Sequence, residues 1–181
     1  MDEDSDGNLV RRCRGGDRRA FEALVVRYER PVYNAALRML HDREEARDVA
    51  QTVFLKVYEH LGDYDPSHKF YSWIYRIALN ESINTLQRRR PRVALDPELP
   101  DGAPGVDVEI GQVELAGGIA EAIGALSPEY RAVIVLRHYL GLSYQDAAEV
   151  LGVPEKTVKS RLFSARQVLR CALQARGWSP G

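Results

Sequence analysis

The stretch SPEYRAVIVLRHYLGLSYQDAAEVLGVPEKTVKSRLFSARQVLRC, residues 127–171, constrains the fold more than any other part of the chain, because its helix starts and stops can be read residue by residue. Ser127 followed by Pro128 is an N-cap and first-turn pair, and Ser143 opens a further helix beyond the break at Gly141. Gly152, Val153 and Pro154 end that helix. The next begins near Glu155 and buries Val158, Leu162, Ala165 and Leu169, whose helical spacing makes one apolar stripe. The whole reads as a four-helix unit ending in a helix-turn-helix, with Ala147 and Ala148 small enough for a close helix crossing. The free face of the last helix carries Lys156, Thr157, Lys159, Ser160 and Arg161 near its N-terminal end. That is the end of a recognition helix that reaches base edges in the major groove, so DNA is the expected ligand.

The formal net charge of −1 hides a segregation along the chain. Residues 1–90 carry 16 basic and 15 acidic groups, residues 91–126 carry 1 and 7, and residues 127–181 carry 8 and 4, or +1, −6 and +4. A basic C-terminal segment suits phosphate, whereas an acidic middle is repelled by DNA unless a protein surface receives it. The chain has no run of 18 or more apolar residues, and MDEDSDG is no signal peptide, so the cytoplasm is the expected location and the chain is not expected to be membrane-embedded. Cys13 and Cys171 are isolated thiols, and His41, His60, His68 and His138 form no ligand constellation, so no metal, cofactor or catalytic residues are expected. His138 reads as a packed or capping side chain.

Helical periodicity continues throughout, with no alternation that suggests a sheet. Residues 8–13 read as a short helix broken at Gly15 and Gly16. Asp17 caps a long segment containing Phe21, Leu24, Val25, Tyr28, Val32, Ala36, Leu37 and Leu40, which Pro31 is expected to bend without ending. Asp42 with Glu45 resembles a capping box opening a helix through about Leu61, followed by the loop GDYDPSHK. The helix FYSWIYRIALNESINTLQRRR then runs to Pro91; Arg76, Asn80, Asn84 and Gln87 fall within roughly 80° of its wheel, a polar stripe extended by Arg88, Arg89 and Arg90. Residues 92 to about 117 mix Pro, Gly and acid and read as a linker.

The blocks DREEARDVAQTVFLKVYEHL, FYSWIYRIALNESINTLQRRR and LSPEYRAVIVLRHYLGLSYQDAAEVLGVPEKTVKSRLFSAR, in this order around an acidic linker, resemble the extracytoplasmic-function branch of the bacterial sigma-70 family over roughly residues 8–173. The resemblance implies an all-α chain of two small helical domains: a four-helix region 2 domain (1–91), a flexible acidic linker (92–117), and a region 4 helix-turn-helix domain (118–181), with no room for region 3. It implies a promoter-recognition subunit with no catalytic residues of its own. Its partners would be core RNA polymerase, through the clamp helices of the largest subunit and the flap, promoter DNA, and an anti-sigma factor. No small-molecule substrate is implied.

By the same resemblance, Asp48, Gln51, Thr52 and Leu55 would contact polymerase, although the family usually has an acid where this chain has Thr52. Val49, Val53, Phe54 and Val57 read as core. The minus-ten element would be read by Tyr64, Phe70, Arg76, Asn80, Asn84, Gln87 and Arg88. An unstacked base needs polar groups for its edge and a flat wall for its face, the part given to Tyr64 and Phe70, while Trp73 and Tyr75 are expected in the core. The minus-thirty-five element would be read by Lys159, Ser160, Arg161 and Phe163, with Lys156, Thr157 and Arg166 near phosphates. The linker would thread the polymerase cleft; replacing Asp96, Glu98, Asp101 and Asp107 with Ser is expected to weaken initiation but leave the domains folded. A competing reading, a stand-alone helix-turn-helix regulator with a helical sensory domain, leaves residues 42–90 unexplained and predicts tight autonomous binding as a dimer.

Overall fold

Short polar side chains cap the starts of four of the eight α-helices among the described residues. Asp17 accepts hydrogen bonds from the amides of Arg19 (3.0 Å) and Ala20 (3.3 Å), and Asp42 from those of Glu44 (2.9 Å) and Glu45 (3.0 Å). Ser127 receives the amide of Tyr130 and Ser143 that of Asp146. Each satisfies donors that a helix start leaves without an internal partner. The computed structural model describes residues 5–89 and 118–175; the expected linker, the helix end at Pro91 and the tail with Trp178 lie outside them. Among the described residues the helices are α1 (Asp6–Arg14), α2 (Arg18–Leu40), α3 (Arg43–His60), α4 (Phe70–Arg89), α5 (Gly118–Gly124), α6 (Pro128–Ile134), α7 (Tyr144–Leu151) and α8 (Glu155–Gln174), with no strand.

α1 to α4 form the first unit. Helix α2 runs unbroken through Pro31 and ends at His41, which takes a left-handed conformation (φ 55°) while its amide reaches the Leu37 carbonyl. Leu24, Val32 and Met39 of α2 share a core with Val53 and Val57 of α3 and Ile74 and Leu79 of α4. Lys56 and the nearly buried Glu81 tie α3 to α4 at 2.6 Å. The capping box at Asp42 is half made: Asp42 caps, but the Glu45 carboxylate pairs with Arg89 of α4 instead of returning to the Asp42 amide. Arg89 also donates to the Leu40 carbonyl (3.0 Å), so it closes the unit and is withdrawn from the positive run expected at the end of α4.

α5 to α8 form the second unit around Leu126, Val133, Ile134, Leu136, Val150, Val158 and Leu162. Residues 127–171 hold three helices, and the fourth of the unit, α5, precedes Ser127. Helix α6 continues as a π-helical turn, Val135–Tyr139. The helix-turn-helix is α7, a tight turn at Gly152 (φ 64°) and α8; glycine meets the left-handed conformation there without a steric cost. Ala147 is fully buried where α7 meets α8, and Val158, Leu162, Ala165 and Leu169 are buried along α8 as their spacing requires.

The two units touch. Helix α4 packs on α7, and α2 packs on α6 and its π-helical turn.

Candidate nucleic-acid interface

Taking about 100° per residue along α8, Lys156, Ser160 and Phe163 project opposite the buried stripe, Thr157 and Arg161 flank one side, and Lys159 and Arg166 the other. Lys156, Lys159 and Ser160 are exposed, and Thr157, Arg161, Phe163 and Arg166 are half-buried, so all seven expected residues belong to one helix surface. Lys159 pairs with Glu155 one turn back (2.6 Å), which raises its pKa, and its ammonium lies 5.3 Å from the Tyr144 ring. On the α6 side, Arg166 lies 3.4 Å from His138 Nε2. Burial and the cations Arg166 and Arg137 hold the pKa of His138 below its usual value.

Two groups here escaped the sequence reading. Tyr144, at the start of α7, has the Arg137 guanidinium 4.2 Å over its ring as well as Lys159 beside it. An aromatic directly after an N-cap Ser was the available signal. Arg131 sits in the apolar run RAVIVL yet is 6% exposed, donating to the carbonyls of Ile123, Gly124 and Leu126 and, across the units, of Met39. A single cation inside an apolar stripe signals buried acceptors, and these are carbonyls left over at helix ends.

In the first unit the expected minus-ten residues divide. Asn80, Asn84, Gln87 and Arg88 are exposed along α4 as one stripe. Tyr64 and Phe70 correct the expectation: they are 5% and 2% exposed and cannot form an open wall for a base. Their rings pack with Trp73 at centroid distances of 5.3 to 5.8 Å, Tyr28 closes on Phe70 at 5.4 Å, and the Tyr64 hydroxyl donates to the His68 carbonyl. Burying this aromatic area outweighs leaving it to solvent. Trp73 is half-buried and Tyr75 buried, as expected. Arg14 holds the loop before α4 from below, donating to the carbonyls of Leu61 (2.9 Å), Gly62 (3.0 Å) and Tyr64.

Arg76, at the head of the stripe, turns to the second unit, where its guanidinium donates to the carbonyls of Glu149 and Val150 (3.2 Å) in the last turn of α7. On α3, Asp48, Gln51 and Leu55 are exposed, with Leu55 57% and Tyr58 62% accessible on one face, while the Thr52 hydroxyl is spent on the Asp48 carbonyl (2.9 Å). Val49, Val53 and Val57 are buried beneath them and Phe54 packs against the core.

With this geometry in hand, the profile described as Sigma-70 region 2 matches residues 24–92, and that described as Sigma-70, region 4 matches residues 117–169. The RNA polymerase sigma-H factor of Pseudomonas aeruginosa is 37% identical over 96% of this chain and 96% of its own. The chain belongs to the extracytoplasmic-function branch of the sigma-70 family. Another relative, the ECF RNA polymerase sigma factor SigW of Bacillus subtilis, is 33% identical over 91% of this chain and 95% of its own. The solved structure of CnrH in complex with the cytosolic domain of CnrY superposes with a TM-score of 0.73 at 32% identity, covering 94% of this chain and 97% of that one. The sigma factor RpoE of Bartonella quintana, solved with the anti-sigma factor NepR, shares the fold at a TM-score of 0.65 and 22% identity, covering 85% and 96%. This family supplies transcription-initiation factors, not catalysts. The region 2 match also explains residues 42–90, which a stand-alone regulator left without a role. Among the described residues no helix is long and apolar enough to cross a membrane, and no cluster of three or more His, Cys, Asp or Glu could hold a metal.

Proposed function

We propose that this sigma factor binds core RNA polymerase in the cytoplasm through α3, reads the minus-ten element with the polar stripe of α4, and reads the minus-thirty-five element with α8. The observation that carries the reading is the pairing, on one chain, of a region 2 unit bearing an exposed polar and cationic stripe and a region 4 unit bearing a basic recognition helix. Asp48, Gln51 and Leu55 are the candidate polymerase contacts, since they share one exposed face of α3 with Tyr58, and large exposed apolar groups mark protein interfaces. The flap of the polymerase would hold region 4. Each DNA reader is small, so tight promoter binding requires the enzyme to fix their spacing. The linker at 92–117 threads the cleft in this scheme. An anti-sigma factor is the expected negative regulator; relatives of this fold have been solved bound to such partners.

Run-off transcription from a genomic promoter library, with bacterial core polymerase and with or without this protein, tests the proposal. Discrete start sites that require both components are expected. Tight binding of the protein alone to a palindromic site, with no core-dependent start, would refute it.

A further inference from the structure

Arg14 is the last residue of α1, and its side chain reaches the loop that carries the chain from α3 into α4. Nε donates to the Leu61 carbonyl (2.9 Å), and Nη2 to the carbonyls of Gly62 (3.0 Å) and Tyr64. A helix leaves its last carbonyls without internal donors, and α3 runs into a tight turn at Leu61–Asp63. One planar fork therefore meets the acceptors where the chain leaves the helix. The rest of the loop is held as closely. The Tyr64 hydroxyl donates to the His68 carbonyl, the Ser67 amide to the Asp65 carboxylate (2.9 Å) and the His68 amide to the Asp65 carbonyl (3.1 Å). Arg14 is itself anchored. Leu9 and Val10 bury α1 against the first unit, Arg12 pairs with Asp17 at the corner into α2 (2.8 Å), and Asp6 holds both Arg27 (2.6 Å) and the Tyr28 hydroxyl. Because the Tyr28 ring packs on Phe70 at the start of α4, α1 grips both ends of the loop.

Between the buried Tyr64 and Phe70 the loop exposes Asp65, Pro66, Ser67, His68 and Lys69, directly before the polar stripe of α4. We propose that Arg14 is a positioning residue for minus-ten recognition: without touching DNA itself, it holds this arc in the shape that meets an unstacked base beside the α4 stripe. The role rests on the proposed promoter function. Base edges are told apart by hydrogen bonds that weaken steeply with displacement, so a loop fixed beforehand discriminates better than one that the DNA must first order. Lysine cannot replace the fork, because a single ammonium has the charge but not the planar, diverging donors that serve three carbonyls.

Hydrogen exchange on the full-length chain and initiation assays with core polymerase test the role together. In Arg14→Met and Arg14→Lys, peptides across residues 61–69 should exchange several-fold faster than in wild type, while those of α2 and α3 keep their wild-type rates. On promoters carrying each base in turn at every minus-ten position, both variants should lose several-fold in preference at neighbouring positions only. Preference across the minus-thirty-five element should stay as in wild type. A general loosening, with α2 and α3 exchanging faster and initiation lowered in the same proportion on every promoter, overturns the role. So does full rescue by Arg14→Lys, since charge alone would then suffice and the contact would be with phosphate. A loop that exchanges no faster in either variant removes it as well. Circular dichroism checks the helices, and Arg14→Lys decides if Arg14→Met does not fold. Wild type that initiates at no promoter removes the promoter function and this role with it. Wild type that selects its minus-ten bases, with variants that select them equally well, removes the role alone.

Discussion

Arg161 and Lys156 lie on the same helix but stand differently toward a ligand. Lys156 is exposed on the crest of α8, where a flexible ammonium serves phosphate, whereas Arg161 is half-buried on the flank, its planar fork suited to a guanine edge. Arg161→Ala should cost about 1 to 3 kcal/mol at one base position and alter sequence preference, and Lys156→Ala should weaken all sequences alike. Footprinting of the holoenzyme on promoter variants separates them; equal losses on every sequence for Arg161→Ala would remove its base-reading role. His138, beside Arg166 and Arg137, brings a pH dependence. Its folded pKa lies below the unfolded value of about 6.5, so the folded state resists the proton that the unfolded state accepts, and stability falls as pH drops through that value. His41 is shifted the same way by burial and by Arg131, Arg38 and Arg89. Thermal melts of wild type and His138→Gln at about pH 5.5 and 7.5 should therefore show a smaller acid loss in the variant, the difference belonging to His138.

At the scale of elements, what could be read from the chain was what local chemistry decides. Asp17, Asp42, Ser127 and Ser143 cap where their sequence neighbours say they should, and the stripe of α8 is buried residue for residue. Tyr64 and Phe70 were misplaced because their burial depends on Tyr28, more than thirty positions away, and on a loop that Arg14 organises through backbone carbonyls. Glu45 failed its capping box for the same reason: a tertiary cation, Arg89, offered more than the local amide. The π-helical turn had no signal in the periodicity. Arg131 shows the cost of such non-local solutions. Its guanidinium joins the carbonyls that end α5 to the last turn of α2, and Arg131→Met keeps the bulk but takes this donor from the Met39, Gly124 and Leu126 carbonyls, while Ile123 keeps the Leu126 amide. A loss of about 2 to 4 kcal/mol in urea-induced unfolding is expected, since each buried acceptor left without a donor costs its desolvation. A loss below about 0.5 kcal/mol, typical of a surface change, would mean that water replaces the guanidinium.

On the scale of the whole molecule, both units carry net positive charge along their sequence segments, so their docking runs against the long-range field and depends on contacts placed by shape. Candidate readers of the two DNA elements were visible as helix faces, but nothing in the periodicity of α4 or α7 announced that Arg76 would be turned onto α7, because the register between units is set by neither helix alone. The pair at its centre makes a definite prediction about acid. Lys69 and Ser143 hold the Asp146 carboxyl at about 2, below its ordinary value, and the Asp146 carboxylate raises Lys69 in turn. A depressed carboxylate contributes fully above its unfolded pKa of about 3.9 and loses that contribution as pH falls toward the folded value; a raised lysine contributes below about 10.4 and loses it only above that. The difference in radius of gyration between wild type and Asp146→Asn should thus stay level from about pH 5 to 9 and shrink below about pH 4 as the wild-type carboxylate is protonated. A difference that stayed level down to about pH 2 would show instead that the Asp146 carboxylate does not hold the contact with Lys69.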